Sequence, residues 1–207
     1  MNFFPMLLNL EYKTAVVVGG GHVATQKVEA LLPAKARIIV VSPDVTEVLQ
    51  GYIERGDILW KNKAFEPSDL DDAAIVFAAT NQPSVNDAVE EATQHWQLLS
   101  RADAAGRVDF INPAVVRRGE FVVTVSTSGN NPAFTRQVKD ELSATYGEHY
   151  GVYVAFLGRA RGQILEKFNG PKKREHLAEL MNPRLLEWVE QGQVEKCEQW
   201  LKQQLGE

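Results

Sequence analysis

Short apolar runs alternate with helix-like stretches over the first hundred residues of the chain. Five of these runs predict strands, at residues 14–18, 37–41, 59–60, 73–79 and 97–100. A helical spacing of apolar residues predicts a helix at 22–32, and Pro83 marks the start of another at 83–95. The run at 73–79 is apolar throughout, as expected for a strand that is covered on both faces. Such an alternation is typical of the α/β class with a parallel sheet.

The pattern changes after Asn112-Pro113. Residues 114–127 hold two β-like runs, which a turn at 118–120 joins. Asn131-Pro132 combines a capping side chain with a proline suited to the first helical position, and it predicts a helix that runs to about Thr145. A small β/α segment therefore follows the first domain.

The rest of the chain, from about Tyr150, carries only helical patterns, interrupted at 169–171 and 182–183. Trp188 and Trp200 are expected to join the leucines around them in a core of their own, and the alternative is that they cover a binding cleft. The chain is therefore predicted to have three parts: an α/β domain at 1–112, a β/α segment at 113–146 and a helical domain at 147–207.

The amino-acid composition and net charge exclude several classes of protein. The 207 residues are 44% hydrophobic and 24% charged, which is typical of a globular protein with a sizeable core. The net charge of −5 argues against a general nucleic-acid binder, and no apolar run approaches the roughly 18 residues that a membrane span needs. The single cysteine, Cys197, and the scattered histidines predict neither disulfides nor a metal site, so a reducing cytoplasm is the expected compartment.

A glycine-rich turn follows the first predicted strand. Gly19, Gly21 and Ala24 fit the G-x-G-x-x-[G/A] pattern, in which the first glycine turns the chain and the second leaves room for a pyrophosphate. The anion would rest on free N–H groups where the helix begins. A strand before the turn and a helix after it favour a Rossmann-like dinucleotide-binding domain over a purely structural βα turn.

Other polar residues follow later strands of the same predicted sheet. Asp44, after the second strand, is a candidate for the adenosine ribose and gives a preference for NAD over NADP, although a solvated turn explains it equally well. Thr80 and Asn81 follow the strand at 73–79, where ligands bind in open α/β sheets, but they also suit a capping turn. Asp103 follows the last strand and is either a proton acceptor or a loop residue that caps a turn.

Taken together, these features resemble the precorrin-2 dehydrogenase family, which includes part of siroheme synthase. The resemblance rests on FFPMLLNL, VVVGGGHVATQKVEALL, IIVVSPD, FAATN, Asp103 and FINPAVVRRGEFVVTVSTSGNNPAFTRQVKDEL, and it covers residues 1–145. Members oxidise precorrin-2 to sirohydrochlorin with NAD, and some also insert ferrous iron. Two departures stand near the aspartate: Ser100 where the family usually has Asn, and Ala105 where it often has Pro.

The resemblance implies roles for particular residues. The family's essential aspartate, a general base, falls on Asp103, and a serine that is phosphorylated in some members falls on Thr127, beside Ser126 and Ser128. It also implies a homodimer that exchanges contacts through the segment at 113–146. The implied NAD contacts are Gly21, His22, Val23, Ser42, Pro43 and Asp44.

The family's substrate is a flat tetrapyrrole edged with carboxylates, which arginines suit as partners. The candidate substrate contacts are Arg101, Arg107, Arg117 and Arg136, with Ser126, Thr127 and Ser128. A bifunctional dehydrogenase and ferrochelatase would use the same Asp103. A third hypothesis is a regulatory module that senses NAD(H) and engages a partner through its helical tail.

Overall fold

The computed structural model of the protein describes residues 3–103 and 105–207. The chain forms two compact units, one up to Asn112 and one from Pro113 onward. The three-part division and the dimerisation role expected for 113–146 stay predictions.

The first unit is built on a parallel sheet of five strands in the order β3-β2-β1-β4-β5. Its strands are β1 (Thr14–Val18), β2 (Arg37–Val41), β3 (Leu59–Lys61), β4 (Ala73–Ala78) and β5 (Leu98–Arg101). Its helices are α1 (His22–Leu31), α2 (Glu47–Glu54) and α3 (Pro83–Ala92), with 3₁₀ turns at Leu32–Ala34 and Pro67–Leu70. The predicted α/β class and Rossmann-like sheet are confirmed.

Both faces of this sheet are buried, which explains the continuous apolar runs. Val16 on β1 lies between Ile39 of β2 and Val76 of β4, and all three side chains belong to the cluster on one face. Ala15 and Val17 point to the opposite face, in the same cluster as Ala24 and Val28 of α1. Helices therefore cover a sheet whose strands all end at one edge.

Helix α2 was not predicted from the sequence. Thr46 caps it by accepting a hydrogen bond from the Leu49 N–H at 3.3 Å, and Leu49 is fully buried. The signal was present, because Leu49, Tyr52 and Ile53 have helical spacing after an N-capping threonine. Gly51 interrupts that pattern and lowers the helix propensity of so short a segment.

The second unit begins with an antiparallel hairpin of β6 (Ala114–Arg118) and β7 (Phe121–Val125). Gly119 turns the hairpin at a positive φ of 57°. Helix α4 (Pro132–Thr145) begins at the predicted position, where the Asn131 side chain accepts the Phe134 N–H at 3.0 Å. The predicted hairpin turn and the predicted cap are both confirmed.

Four more helices complete the second unit: α5 (His149–Lys167), α6 (Gly170–Glu179), α7 (Pro183–Glu190) and α8 (Val194–Leu205). Phe156, Leu185 and Leu201 lie at the centre of their shared core, and Trp188 and Trp200 pack against it as expected. The break around Gly192, where φ is 71°, was not predicted. In the part of the chain that the structure describes, we find no helix with the length and apolar character to cross a membrane.

Candidate active site

The glycine turn lies between β1 and α1, at the carboxyl edge of the sheet. Gly19 has a φ of 124°, and an added Cβ would overlap the Ala79 carbonyl. A Cβ on Gly20 would overlap the Asp44 carbonyl, whereas nothing lies within 4 Å of one added to Gly21. Gly19 and Gly20 therefore allow close backbone packing, and Gly21 faces open space. Sequence reasoning gave Gly20 no role, because it occupies the variable position of the motif.

The start of α1 leaves N–H groups free for a ligand. Gly21 is the N-cap, and the first helical hydrogen bond runs from the Thr25 N–H to the Gly21 carbonyl at 3.0 Å. The N–H groups of the residues between them, in the first turn, therefore have no helical acceptor. His22 and Val23 are exposed there. An open, glycine-lined helix start fits the diphosphate of a dinucleotide.

The loop after β2 is tied to this turn. The Thr46 N–H donates to the Gly20 carbonyl at 3.0 Å, and the Thr25 and Thr46 hydroxyls are 2.9 Å apart. Trp60 Nε1 donates to the Ser42 carbonyl at 2.9 Å, which fixes the start of the loop. Ser42 is half-buried, and Pro43 and Asp44 are exposed beside the glycine turn. These contacts bring the predicted ribose-binding residues close to the predicted phosphate site.

The end of β4 is held by a buried asparagine that sequence reasoning missed. Asn86 of α3 is 1% exposed. Its Oδ1 accepts from the Thr80 hydroxyl at 2.8 Å and the Thr80 N–H at 3.3 Å, and its Nδ2 donates to the Thr80 carbonyl at 3.2 Å. Asn81, the next residue, is exposed. A single asparagine in a helix has no sequence signal that distinguishes this role from a solvated side chain.

Asp103 follows β5 and is held by Arg101 and Asn86. Arg101 donates from Nε to Oδ1 at 3.0 Å and from Nη2 to Oδ2 at 2.9 Å. Asn86 Nδ2 donates to Oδ2 at 2.9 Å, and the Ala105 N–H donates to Oδ1 at 3.3 Å. The Arg101 guanidinium, followed by the Asn86 amide, holds the pKa of Asp103 well below its usual range. The structure thus brings together the ends of β4 and β5, as expected at this edge.

The arginines proposed as substrate contacts differ in their surroundings. Arg101 has a side chain that is 3% exposed and pairs with Asp103, Glu90 and Asp87. Arg107 pairs with Asp109 at 2.8 Å and donates to the Gln97 carbonyl, also at 2.8 Å. Both arginines belong to the first unit, and each already pairs with carboxylates of that unit.

The remaining candidates lie in the second unit. Arg117 and Arg136 are exposed, and within residues 3–103 and 105–207 neither enters an ion pair. The Thr127 hydroxyl accepts the Asn131 N–H at 3.0 Å and lies 3.0 Å from the Thr135 hydroxyl, next to the start of α4. Ser126 and Ser128 flank it, both exposed.

Comparisons with known proteins agree with this geometry. A chain described as "SirC, precorrin-2 dehydrogenase" superposes with a TM-score of 0.82 at 27% identity, and the match covers 97% of this chain and 100% of that one. Siroheme synthase from Sodalis glossinidius (strain morsitans) is 31% identical over 208 residues, which is 100% of this chain. Siroheme synthase 1 from Serratia proteamaculans (strain 568) is 32% identical over 99% of this chain.

This chain spans 44% of the length of each of these two siroheme synthases. A family model described as "Putative NAD(P)-binding" matches residues 6–114, just over half of the chain, and that range contains β1 to β5, the glycine turn and Asp103. The chain therefore belongs to this NAD(P)-binding family.

Proposed function

We propose that this chain oxidises precorrin-2 to sirohydrochlorin with NAD as cofactor. The observation that carries the proposal is the position of Asp103: a carboxylate follows β5 at the same edge of the sheet as the open glycine turn. The likeness to SirC over 97% of the chain supports it, since that protein is described as a precorrin-2 dehydrogenase. The siroheme synthase relatives support the same substrate class.

The residues at the sheet edge fit a dinucleotide. NAD, when bound, supplies the hydride acceptor. We assign the diphosphate to Gly19, Gly21, His22 and Val23, because a side chain on Gly21 would fill the open space that the phosphates need. We assign the adenosine ribose to Ser42, Pro43 and Asp44, and the remainder of the cofactor to the turn at Thr80 and Asn81. A carboxylate at Asp44 favours the ribose hydroxyl of NAD over the phosphate of NADP.

Asp103 is assigned to the proton that leaves the substrate. The oxidation removes two hydrogens, one as hydride and one as a proton. Four donors contact the carboxylate, and the longest contact runs from the Ala105 N–H to Oδ1 at 3.3 Å. We assign the proton to Oδ1, where it displaces this longest contact. Because its pKa is low, Asp103 is ionised before the reaction and has a free negative charge for the proton.

The carboxylates of the tetrapyrrole need cationic partners. Arg117 and Arg136 are exposed cations in the second unit, and the hydroxyls of Ser126, Thr127 and Ser128 add donors. Arg107 is a weaker candidate because it already pairs with Asp109. The sequence also predicts Arg101 as a substrate contact, but in the structure its guanidinium already pairs with three carboxylates.

A homodimer is part of the proposal. A two-stranded hairpin such as β6–β7 is marginal alone, and Val115 and Phe134 of this region are 40% and 53% exposed. We propose that a second copy covers these side chains. A cytoplasmic location is consistent with the one cysteine, Cys197, which is buried as a free thiol.

The test is an assay of the purified chain with precorrin-2 and NAD, followed by NADH formation and by the absorbance of the more conjugated product. We expect turnover by the wild type, loss of turnover in Asp103→Ala, and NAD affinity in that variant within a few-fold of wild type. Near-native turnover in Asp103→Ala would contradict the assignment. Tight NAD binding without turnover by the wild type would favour the NAD(H)-sensing module instead.

A further inference from the structure

Arg101 is an arginine enclosed by carboxylates. Its side chain is 3% exposed. Nε and Nη2 contact the two oxygens of Asp103, Nη1 contacts Glu90, and Nη2 also lies 2.9 Å from Asp87. The Asp87 side chain is 61% exposed, whereas those of Asp103 and Glu90 are 25% and 30% exposed. Asp103 is the partner that receives two parallel hydrogen bonds from the guanidinium, and such a bidentate pair has the most specific geometry.

Every lone-pair site of the Asp103 carboxylate has a donor. Oδ1 accepts from Arg101 Nε and the Ala105 N–H, and Oδ2 accepts from Arg101 Nη2 and Asn86 Nδ2. A carboxylate offers about four such sites. Two of the four donors come from Arg101, on the same strand end, so this arginine sets the plane and the rotamer of the carboxylate.

The packing around Arg101 leaves no room for a substrate carboxylate. A Cβ on Gly106 would lie 2.7 Å from Arg101 Nη1 and would also overlap Glu90. The other oxygen of Glu90 accepts the Arg107 N–H at 3.1 Å, so Gly106 and Arg107 lie against the pair of Glu90 and Arg101. Asp87, Glu90 and Asp103 already pair with the single positive charge of Arg101.

We propose that Arg101 is a positioning residue, which holds the Asp103 carboxylate in one orientation and in its charged form, rather than a contact of the substrate. The inference rests on the proposed function, because the step it supports is the removal of the substrate's proton. It replaces the assignment of Arg101 to substrate binding.

Removing the guanidinium is expected to raise the pKa of Asp103. Arg101 is the charged side chain that contacts Asp103 directly. Asp87 and Glu90 of α3 contact the same guanidinium. The nearby Arg107 is paired with Asp109. Hydrogen bonds to Asp103 and Glu90 raise the pKa of Arg101, so it stays charged. Without it, two carboxylates stand near Asp103 unopposed, and like charges raise a carboxyl pKa.

The experiment compares three variants with the wild type. Arg101→Gln removes the charge and the bidentate contact, and Arg101→Lys keeps the charge alone. Arg55→Gln is the matched control, because it removes the same charge from an arginine at the end of α2 that is 58% exposed and pairs with Asp57. We measure kcat and KM for precorrin-2 across pH, NAD affinity, and the titration of Asp103 by NMR with carbon-13-labelled aspartate carboxyls. Asp103→Asn assigns the NMR signal.

We expect Arg101→Gln to lower kcat on the order of a hundred-fold, the size of loss that a small misplacement of a catalytic group causes. Its activity also falls at acid pH where the wild type stays active, and its Asp103 signal titrates at higher pH than in the wild type. Arg101→Lys restores the wild-type pH profile with kcat lowered about ten-fold. Arg55→Gln keeps the wild-type kcat and pH profile, and NAD affinity stays within a few-fold of wild type in all variants.

Two results would overturn the inference: an Arg101→Gln enzyme with wild-type kcat and pH profile, or one in which only KM for precorrin-2 rises, as expected of a substrate contact. If the wild type itself does not oxidise precorrin-2, the proposed function fails. The NMR titration then still decides whether Arg101 sets the state of Asp103. If Arg101→Gln does not fold, Arg101→Lys still tests the orientation of the carboxylate, because a wild-type kcat in Arg101→Lys would overturn the inference.

Discussion

Asn86 joins the ends of two strands through one side chain: its Nδ2 donates both to the Thr80 carbonyl, at 3.2 Å, and to Asp103 Oδ2, at 2.9 Å. The amide oxygen accepts from the Thr80 hydroxyl at 2.8 Å. The residue that follows β4 and the carboxylate that follows β5 are therefore set by the same helix. A change at Asn86 therefore affects both Thr80, which we assign to the cofactor, and Asp103, which we assign to the substrate's proton.

Asn86→Ala is expected to destabilise the first unit. It leaves the Thr80 N–H without its acceptor and removes one of the two donors to Asp103 Oδ2, in a site where Asn86 is 1% exposed. Losing buried hydrogen bonds of this kind lowers the free energy of unfolding by about 2–3 kcal/mol. Urea denaturation followed by tryptophan fluorescence measures the change. Glu91→Gln, exposed on the same helix, is the control, and an equal effect of both changes would contradict the prediction.

Gly20→Ala and Gly21→Ala separate packing from ligand binding in the glycine turn. A Cβ on Gly20 overlaps the Asp44 backbone, so we expect a loss of stability on the order of 2 kcal/mol, as for other overpacked sites. A Cβ on Gly21 meets nothing within 4 Å, and its φ of −86° suits alanine, so stability stays within about 0.5 kcal/mol of wild type.

The Gly21 substitution instead lowers NAD affinity, about ten-fold for Ala and further for Asp, whose charge repels the diphosphate. Isothermal titration calorimetry with NAD measures it. If Gly21→Asp binds NAD as tightly as wild type, the diphosphate does not lie at this turn.

Most of the fold could be predicted from the sequence, because burial on both faces leaves continuous apolar runs such as Val16–Val18 and the strand β4. The position of Asp103 could also be predicted, since it follows the last parallel strand. The burial of Arg101 could not, because a charged residue at a strand end is solvated by default and only the three-dimensional packing brings Asp87 and Glu90 of α3 to it.

Asp44→Ala is expected to weaken the preference for NAD over NADP. The residue is exposed in the loop after β2, which is held to the glycine turn by the contact between the Thr46 N–H and the Gly20 carbonyl. A carboxylate there binds a ribose hydroxyl and repels a ribose phosphate. We expect the ratio of NADP to NAD dissociation constants to fall about ten-fold, which is roughly 1.4 kcal/mol.

The control for Asp44→Ala is Asp71→Ala, an exposed aspartate that precedes β4 and so lies at the opposite edge of the sheet. It changes the net charge equally and is expected to leave the ratio unchanged. A ratio that shifts equally in both variants would show a general charge effect and no contact with the ribose.

Asp103→Asn is expected to change how stability depends on pH. The pKa of Asp103 in the folded chain lies below its usual value, chiefly because of Arg101 and then Asn86. Such a group binds protons more weakly folded than unfolded, so its contribution to stability is present above the unfolded carboxyl pKa of about 4 and is lost as the pH falls through the lower folded pKa. The variant therefore unfolds at lower urea concentration than wild type at about pH 7, and the gap narrows below about pH 4. Asp72→Asn, exposed and equal in charge change, has little effect at either pH. A gap that stays constant across this range would mean that the carboxylate and the guanidinium are not coupled in solution.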